Sequence, residues 1–210
     1  MSLKVITLPV GRMATNCYLI VDTTVNHGLV IDPGDDADYV IQKVEREKCT
    51  LKAIIATHGH FDHIMSVLEL QLAYNIPFLI NKNDDFLISQ MQSSAKFFLK
   101  INPGPSPEVN GFLENGDTYK LGKFKFKVIQ TPGHTPGSIC LYEKHGKIIF
   151  TGDLLFAGGV GRTDFSYSDG KKLHSSLRKI FLLPENTRVC PGHGPSTTLG
   201  EEKAGLPDWR

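Results

Sequence analysis

Three histidines and one aspartate fall within six residues, directly after an apolar run that is typical of a buried strand. The run covers Leu51 to Ala56, and the cluster that follows it contains His58, His60, Asp62 and His63. Side chains two apart on an extended segment point the same way, so His58 and His60 can reach one cation together. The turn at the strand end lets Asp62 and His63 face a neighbouring cation. Imidazole nitrogen and carboxylate oxygen suit zinc, and also iron or manganese.

Three later segments each place one further metal-ligating side chain at the end of a predicted strand. These side chains are His134, Asp153 and His193, and a glycine stands immediately before each of them. Glycine suits positions where the backbone must turn sharply or come close to another group. Together with the first cluster they make seven ligands, which is too many for one tetrahedral ion and about right for two. The sequence therefore predicts a centre of two divalent metal ions, zinc by preference, with iron or manganese as alternatives.

The charge and hydropathy of the chain exclude several classes of partner. Its 210 residues carry 23 basic and 22 acidic side chains, a net charge of +1, which argues against a strongly basic nucleic-acid surface. No apolar run approaches the roughly 18 residues that a membrane span needs, and residues 1–10 lack the features of a signal peptide. We therefore expect a cytoplasmic protein that acts on a small molecule, without nucleic-acid or membrane partners. Its oligomeric state is left open.

The order of predicted elements indicates one domain made of two similar halves. Strands and helices alternate up to a Pro- and Gly-rich loop at 102–111, and a second set of strands and helices follows it. The first half includes helices predicted over Ile64 to Tyr74 and over Asp84 to Leu99, the latter with Phe98 in the core. This layout fits two sheets packed face to face with helices outside, in a single domain over 1–210.

Six segments of the sequence resemble the metallo-β-lactamase superfamily and, within it, the short relatives of the hydroxyacylglutathione hydrolases (glyoxalase II). The Thr57 to His63 motif is similar to the superfamily as a whole, and the segments that follow it are similar to its glyoxalase-like members. The resemblance implies an α/β fold, a four-layer αββα sandwich with the metal site at one edge of the two packed sheets. The other segments are Ile31 to Gly34, Thr131 to Ser138, Thr151 to Asp153, Gly161 to Phe165 and Pro191 to Glu202.

The resemblance also implies how the ligands divide between two metal ions. One ion takes His58, His60 and His134, the other takes Asp62, His63 and His193, and Asp153 bridges them together with a water or hydroxide. A cysteine in place of Asp153 would suggest a true β-lactamase, whereas aspartate points to the dinuclear hydrolases. Asp32 resembles a residue outside the ligand set that orients one of the ligands.

The expected reaction is the hydrolysis of a thioester of hydroxyacylglutathione type by the metal-bridging hydroxide, with Asp62 and Asp153 as catalytic residues. Arg162, at the expected mouth of the site, could pair with a substrate carboxylate. The longer glyoxalase II proteins hold glutathione with basic residues of a C-terminal helical region. After His193 this sequence has only Lys203 and Arg210 as basic residues. We therefore expect glutathione to be held weakly.

Four other functions compete with this expectation. A persulfide dioxygenase with a single iron shares the stretch from Gly161 to Phe165, and a lactonase or other ester hydrolase would use the same hydroxide. A nuclease of the superfamily fits poorly with a net charge of +1. A non-enzymatic protein with a structural metal would be expected to use a closed site of four protein ligands, often cysteines. No cysteine of this chain has the spacing of a metal ligand.

Overall fold

Two six-stranded sheets form the centre of the fold, and the computed structural model describes residues 2–206 of the chain, so Arg210 lies outside the described residues. The first sheet contains, in spatial order, β1 (Leu3–Val10), β2 (Thr15–Asp22), β3 (His27–Ile31), β4 (Thr50–Ile55), β5 (Phe78–Ile80) and β6 (Gly111–Phe112). The second contains, in spatial order, β14 (Thr197–Thr198), β13 (Arg188–Pro191), β10 (Ile148–Gly152), β9 (Ile139–Glu143), β8 (Phe124–Gln130) and β7 (Thr118–Leu121).

Both sheets are mixed, with parallel and antiparallel neighbours. Strands β3 to β6 are parallel to one another, and so are β10 and β13, whereas the remaining neighbours within the two sheets are antiparallel. A separate short hairpin pairs β11 (Leu155–Phe156) with β12 (Gly159–Val160). Parallel neighbours place the carboxyl ends of their strands at one edge of a sheet, and this edge carries the residues of interest.

Helices cover the outer faces of the two sheets. They are α1 (Ala37–Glu47), α2 (Val67–Tyr74), α3 (Asp85–Ser89), α4 (Met91–Leu99), α5 (Gly170–Ile180) and α6 (Leu199–Gly205), with two short 3₁₀ helices at Phe61–His63 and Lys82–Asp84. Val40 of α1 and Val67 of α2 are fully buried with residues of the first sheet. Leu173 and Leu177 of α5 are fully buried with residues of the second. The expected four-layer αββα sandwich is therefore confirmed.

The alternation along β2 shows how one strand supplies two cores. Cys17 and Leu19 pack on the helix side of the first sheet, whereas Tyr18 and Ile20 pack between the sheets. Successive side chains of a strand point to opposite faces, and every residue of β2 is buried because both faces of the sheet are covered. Tyr18 meets Phe150 of the second sheet edge-on, with ring centroids 5.0 Å apart.

Two helix predictions are wrong in their extent. The helix expected from Ile64 begins only at Val67, because the backbone N–H of Ser66 donates to the Pro33 carbonyl instead of continuing a helical ladder. The helix expected over 84–99 is broken into α3 and α4 at Gln90. At the junction the backbone N–H of Gln90 donates to the carbonyl of Leu87, three residues back, as in a tighter turn.

The prediction that Phe98 lies in the core is wrong. Its side chain is 50% exposed. Among the described residues, no helix is long and apolar enough to cross a membrane.

Candidate metal centre

The seven predicted ligands meet at the edge where the carboxyl ends of β4, β8, β10 and β13 lie. Hydrogen bonds between the sheets hold this edge together. The backbone N–H of Asn16 in β2 donates to the Gly192 carbonyl at 2.7 Å, and the N–H of Ile139 in β9 donates to the Thr57 carbonyl at 2.9 Å. Ligands from both sheets therefore share one rigid frame.

All three glycines that precede the ligands later in the chain meet a structural requirement, and Gly152 and Gly192 illustrate it. Gly152, before Asp153, has a positive φ of 49°, a conformation that glycine adopts without steric cost. Gly192, before His193, has no room for a side chain, because a Cβ there would overlap Asp153 Oδ1. Gly152 thus lets the chain turn tightly before Asp153, and Gly192 lets the Asp153 carboxylate come close to the backbone before His193.

Three histidines form a first group of facing ring nitrogens. His60 Nδ1 lies 3.1 Å from His58 Nε2 and 3.0 Å from His134 Nε2. His58 and His134 are buried, and His60 is half-buried. One atom from each ring therefore points to a common centre, which is the arrangement that a cation with three imidazole ligands needs.

A second group combines one carboxylate with two histidines. Asp62 Oδ2 lies 3.4 Å from His193 Nε2 and 3.7 Å from His63 Nε2. Asp62 and His63 are buried, whereas the side chain of His193 is 27% exposed. The Thr15 hydroxyl donates to Asp62 Oδ2 at 3.2 Å, which holds this carboxylate from the side of β2. The three atoms form a second cradle that one cation could occupy.

Asp153 stands between the two groups and faces both. Its Oδ2 lies 3.5 Å from His134 Nε2 of the first group, and its Oδ1 lies 3.5 Å from His63 Nε2 of the second. Oδ1 is also 3.7 Å from His193 Nε2. One carboxylate thus directs a separate oxygen to each group.

The other ring nitrogen of each histidine is occupied by a partner outside the centre. His134 Nδ1 lies 2.8 Å from the Arg162 carbonyl, and His193 Nδ1 lies 3.1 Å from the Met13 carbonyl. Because a carbonyl only accepts, each Nδ1 must donate a proton, and the neutral tautomer that this selects carries its lone pair on Nε2, which faces the centre. Such partners select the tautomer and ring orientation of a metal-binding histidine.

Asp32, predicted to orient a ligand, touches one ligand and the segment that carries another. Its Oδ2 lies 3.0 Å from His63 Nδ1. The same carboxylate accepts from the N–H and the hydroxyl of Thr57, each at 2.7 Å. Thr57 Oγ1 is in turn 3.2 Å from His58 Nδ1. Asp32 is itself buried, so its contacts hold the start of the His58–His63 segment in place.

Burial and local charge shift the pKa values of the centre in opposite directions. Burial, reinforced by the neighbouring imidazoles, lowers the pKa of His58 well below its ordinary value and that of His60 to about 3. Burial would also lower the pKa of His63, but the three carboxylates around it outweigh this and raise that pKa well above its ordinary value. His58 and His60 are therefore neutral at pH 7, as a metal ligand must be.

The negative charge of Asp153 and two buried polar atoms without hydrogen-bond partners are consistent with a cation site at the centre. Burial would raise the pKa of Asp153, but the surrounding histidines hold it well below the ordinary range, so the carboxylate is ionised. Asp153 Oδ1 and His63 Nε2 are buried and have no hydrogen-bond partner, and they face each other across the centre. Buried polar atoms are normally satisfied. A cation between these groups would satisfy both and replace the positive charge of His63.

A pocket of about 140 Å³ opens beside the centre, and five of the seven predicted ligands line it. Arg162, predicted to bind a substrate carboxylate, also lines it. Its guanidinium donates two hydrogen bonds of 2.5 Å to Asp164, and both side chains are more than half exposed. It also lies over the Phe165 ring, 4.4 Å from its centroid. The Arg162 guanidinium therefore lies at the pocket, where it could meet a substrate, but it is already paired with Asp164.

Sequence reasoning missed Asp84, which links two ligand segments. Its Oδ2 accepts from the N–H of Gly59 at 2.9 Å and from the hydroxyl of Thr135 at 2.6 Å, and its Oδ1 accepts from the N–H of Gly137 at 2.6 Å. Asp84 is completely buried. Its sequence neighbourhood is that of an ordinary polar helix start, so no local signal distinguishes it.

Sequence reasoning also missed Tyr167, because no local signal distinguishes it from an ordinary loop residue. Its side chain lines the pocket. Its hydroxyl is 2.9 Å from His60 Nε2, the nitrogen that faces away from the other two histidines of the first group. A neutral His60 that keeps its Nδ1 lone pair for the centre must donate from Nε2, so Tyr167 accepts that proton.

The fold and the centre define a class: an α/β protein with a two-part His/Asp cation site at the edge of two packed sheets. Residues 10–193 match the family model of the metallo-beta-lactamase superfamily, and the chain belongs to that superfamily. The sequence-based resemblance is thereby confirmed. Among the relatives, YqgX of Bacillus subtilis, 31% identical over 93% of this chain and 92% of its own, is named a probable metallo-hydrolase.

Two relatives match almost the whole chain. An uncharacterized protein of Aquifex aeolicus is 39% identical over 206 residues, which cover 97% of this chain and 95% of the relative. The hydroxyacylglutathione hydrolase GloC of Haemophilus influenzae is 38% identical over 202 residues, which cover 95% of each chain.

Three solved structures share the fold along nearly the whole chain. BLEG-1, a B3 metallo-beta-lactamase, matches with a TM-score of 0.91 at 33% identity and covers 98% of this chain and 99% of its own. TTHA1623, solved in a di-iron-bound form, matches with a TM-score of 0.87 at 35% identity and covers 97% and 99%. ETHE1 from Myxococcus xanthus matches with a TM-score of 0.79 at 31% identity and covers 99% and 84%.

Proposed function

We propose that this protein is a dinuclear-metal hydrolase that cleaves a thioester of hydroxyacylglutathione type. The observation that carries the proposal is the position of Asp153, which directs one carboxylate oxygen to each of two three-residue groups. We assign one ion to His58, His60 and His134, the other to Asp62, His63 and His193, and Asp153 to both. Zinc is the preferred metal, and iron and manganese suit the same nitrogen and oxygen ligands.

Two divalent ions in these groups would supply an ionised water near neutral pH and would polarise a carbonyl oxygen. Asp62 faces the pocket and is held by Thr15, so it is the proposed acceptor of the proton that the water loses. Asp153, with one carboxylate oxygen facing each group, would set the distance between the two ions. A thiolate leaving group has a pKa of about 8.5 and needs little protonation at neutral pH. Thioester hydrolysis therefore requires a nucleophile and an oriented carbonyl group, and it depends little on a general acid.

The comparisons support this choice at two points. GloC of Haemophilus influenzae, a hydroxyacylglutathione hydrolase by name, aligns over 95% of this chain. TTHA1623 was solved with two irons bound, which favours occupation by two ions and keeps iron among the candidate metals. BLEG-1 is named as a β-lactamase, so β-lactam hydrolysis is a second candidate that the same assay can address.

The test is a substrate panel on protein with measured metal content. Purified protein loaded with zinc, iron or manganese is assayed with lactoylglutathione, a lactone, a β-lactam and glutathione persulfide with oxygen. We expect about two metal ions per chain and turnover of the thioester above the other substrates. One iron per chain with oxygen consumption would replace the proposal by a persulfide dioxygenase. Faster turnover of the lactone or the β-lactam would assign the chain to that chemistry.

A further inference from the structure

One side of the pocket is an aromatic wall next to the cation groups. Phe61, between the ligands His60 and Asp62, stacks on Phe98 of α4 with ring centroids 5.7 Å apart and an angle of 7°. Phe98 is 50% exposed although it is a large apolar ring. Both rings line the pocket. An exposed apolar surface at a binding cleft is informative, since water is a poor partner for it.

A second aromatic pair stands on the side of the pocket formed by residues 162–167. Phe165 and Tyr167 stack with centroids 5.3 Å apart and an angle of 15°. Phe165 meets the ring of His60 edge-on at 5.1 Å. The pocket beside the metal centre is thus lined by aromatic rings on both the α4 side and the 162–167 side.

The charge in the pocket does not suit a substrate with several carboxylates. Among the described residues that line it, Arg162 is the only lysine or arginine. Its guanidinium is paired with Asp164 through two hydrogen bonds. A substrate carboxylate would therefore have to compete with Asp164 for the Arg162 guanidinium, and any second carboxylate would remain in water.

We infer that the pocket selects its thioester by an apolar, ring-sized acyl group, which lies on the wall of Phe61 and Phe98. The inference rests on the proposed function and adds the substrate class: thioesters of aromatic or branched apolar hydroxy acids, with little contribution from the thiol half. A cavity of about 150 Å³ is large enough for benzene in another protein, and this pocket has about 140 Å³. The pocket therefore has room for an acyl group of about one six-membered ring.

The first experiment measures kcat/KM for a series of 2-hydroxyacyl thioesters on the metal-loaded protein. The series runs from lactoyl through 2-hydroxybutyryl and 2-hydroxyisocaproyl to mandeloyl, each on glutathione and on N-acetylcysteamine. Burying one methylene contributes about 0.8 kcal/mol, or about fourfold. We expect two- to fourfold per carbon, mandeloyl at least tenfold above lactoyl, and less than a threefold loss when N-acetylcysteamine replaces glutathione. A flat acyl series, or a loss above thirtyfold without glutathione, would overturn the inference.

The second experiment uses a matched pair of phenylalanine variants. Phe98→Ala removes half of the wall, and we expect it to lower kcat/KM for mandeloyl at least fivefold more than for lactoyl. Phe112→Ala is the control, because Phe112 is 44% exposed, does not line the pocket, and undergoes the same chemical change. We expect it to change the mandeloyl to lactoyl ratio less than twofold. Equal ratios in both variants would contradict a wall built by Phe98.

The two levels of the proposal fail in different ways. A protein with two bound metal ions that hydrolyses no thioester of the series would refute the proposed function. Hydrolysis of lactoyl and mandeloyl thioesters at equal kcat/KM would leave the proposed function standing and refute the apolar acyl class alone. Product inhibition gives an independent binding measurement, in which mandelate is expected to inhibit at least tenfold more strongly than lactate.

Discussion

Asp84 should control the affinity of the first cation group although it ligates nothing itself. It accepts hydrogen bonds from Gly59, between His58 and His60, and from Thr135 and Gly137, which follow His134. One buried carboxylate therefore joins the two segments that carry all three histidines of this group. Removing it should let the segments separate and should leave two buried backbone N–H groups without a partner.

The magnitude follows from these contacts. A buried donor left unpaired costs about 1–3 kcal/mol, so Asp84→Ala, which strands the N–H groups of Gly59 and Gly137, should lower the free energy of unfolding by about 2–6 kcal/mol. Asp84→Asn keeps the shape but replaces one acceptor oxygen by a donor, so it should cost about half as much. Partners that orient metal ligands typically contribute 10–100-fold to metal affinity or activity. We expect a loss of this size for one of the two ions.

The assay is a competition between the protein and a chromophoric zinc chelator, with urea unfolding measured in parallel. Asp85→Asn is the matched control, because it makes the same chemical change at the next residue, where the side chain is exposed. Asp84→Asn should weaken one of two binding steps, and Asp85→Asn neither. If Asp84→Asn lowers stability but binds both ions with unchanged affinity, Asp84 is a residue of the core alone and the positioning argument is wrong.

Three further predictions concern the metal groups, the paired arginine and pH. His134→Ala should lower the metal content by about one ion per chain, whereas Asp153→Ala should weaken both sites, as measured by metal analysis; full occupancy of both sites in Asp153→Ala would contradict its position between them. Asp164→Asn should free the guanidinium of Arg162 and lower the KM for lactoylglutathione up to about tenfold, while Arg162→Ala should change it little, and a large rise in KM for Arg162→Ala would show that the ion pair opens for substrate. Burial lowers the pKa of His60 to about 3 in the folded protein, whereas in the unfolded chain this pKa is about 6.5. Between these two pH values the unfolded chain therefore binds one proton more at His60 than the folded protein does. The free energy of unfolding of the metal-free protein should therefore fall as pH drops from about 6.5 toward 3, and stability that is constant over this range in urea titrations would refute it.

The differences between prediction and structure lie where distant contacts decide the local geometry. The late start of α2 depends on the backbone N–H of Ser66, which donates to the carbonyl of Pro33, a residue far away in the sequence. Phe98 has the spacing of a core residue, yet the ring stacks on Phe61 at the pocket. A hydrophobic period describes which face of a helix is apolar but not what that face will meet. The same period is compatible with a core and with a substrate wall.

The sequence by itself determined the two-sheet fold class and the identity of the seven candidate ligands. Strand periodicity and the strand-end positions of the His and Asp residues are local properties, and they survive without knowledge of the partner strands. Only the tertiary structure decided which atoms face one another: the two oxygens of Asp153, the tautomers of His134 and His193, and the pairing of Arg162 with Asp164. Asp84 shows the reason most clearly. Its partners Gly59 and Gly137 lie 25 and 53 residues away, and contacts over such separations arise only when the packing of whole sheets and helices brings the segments together.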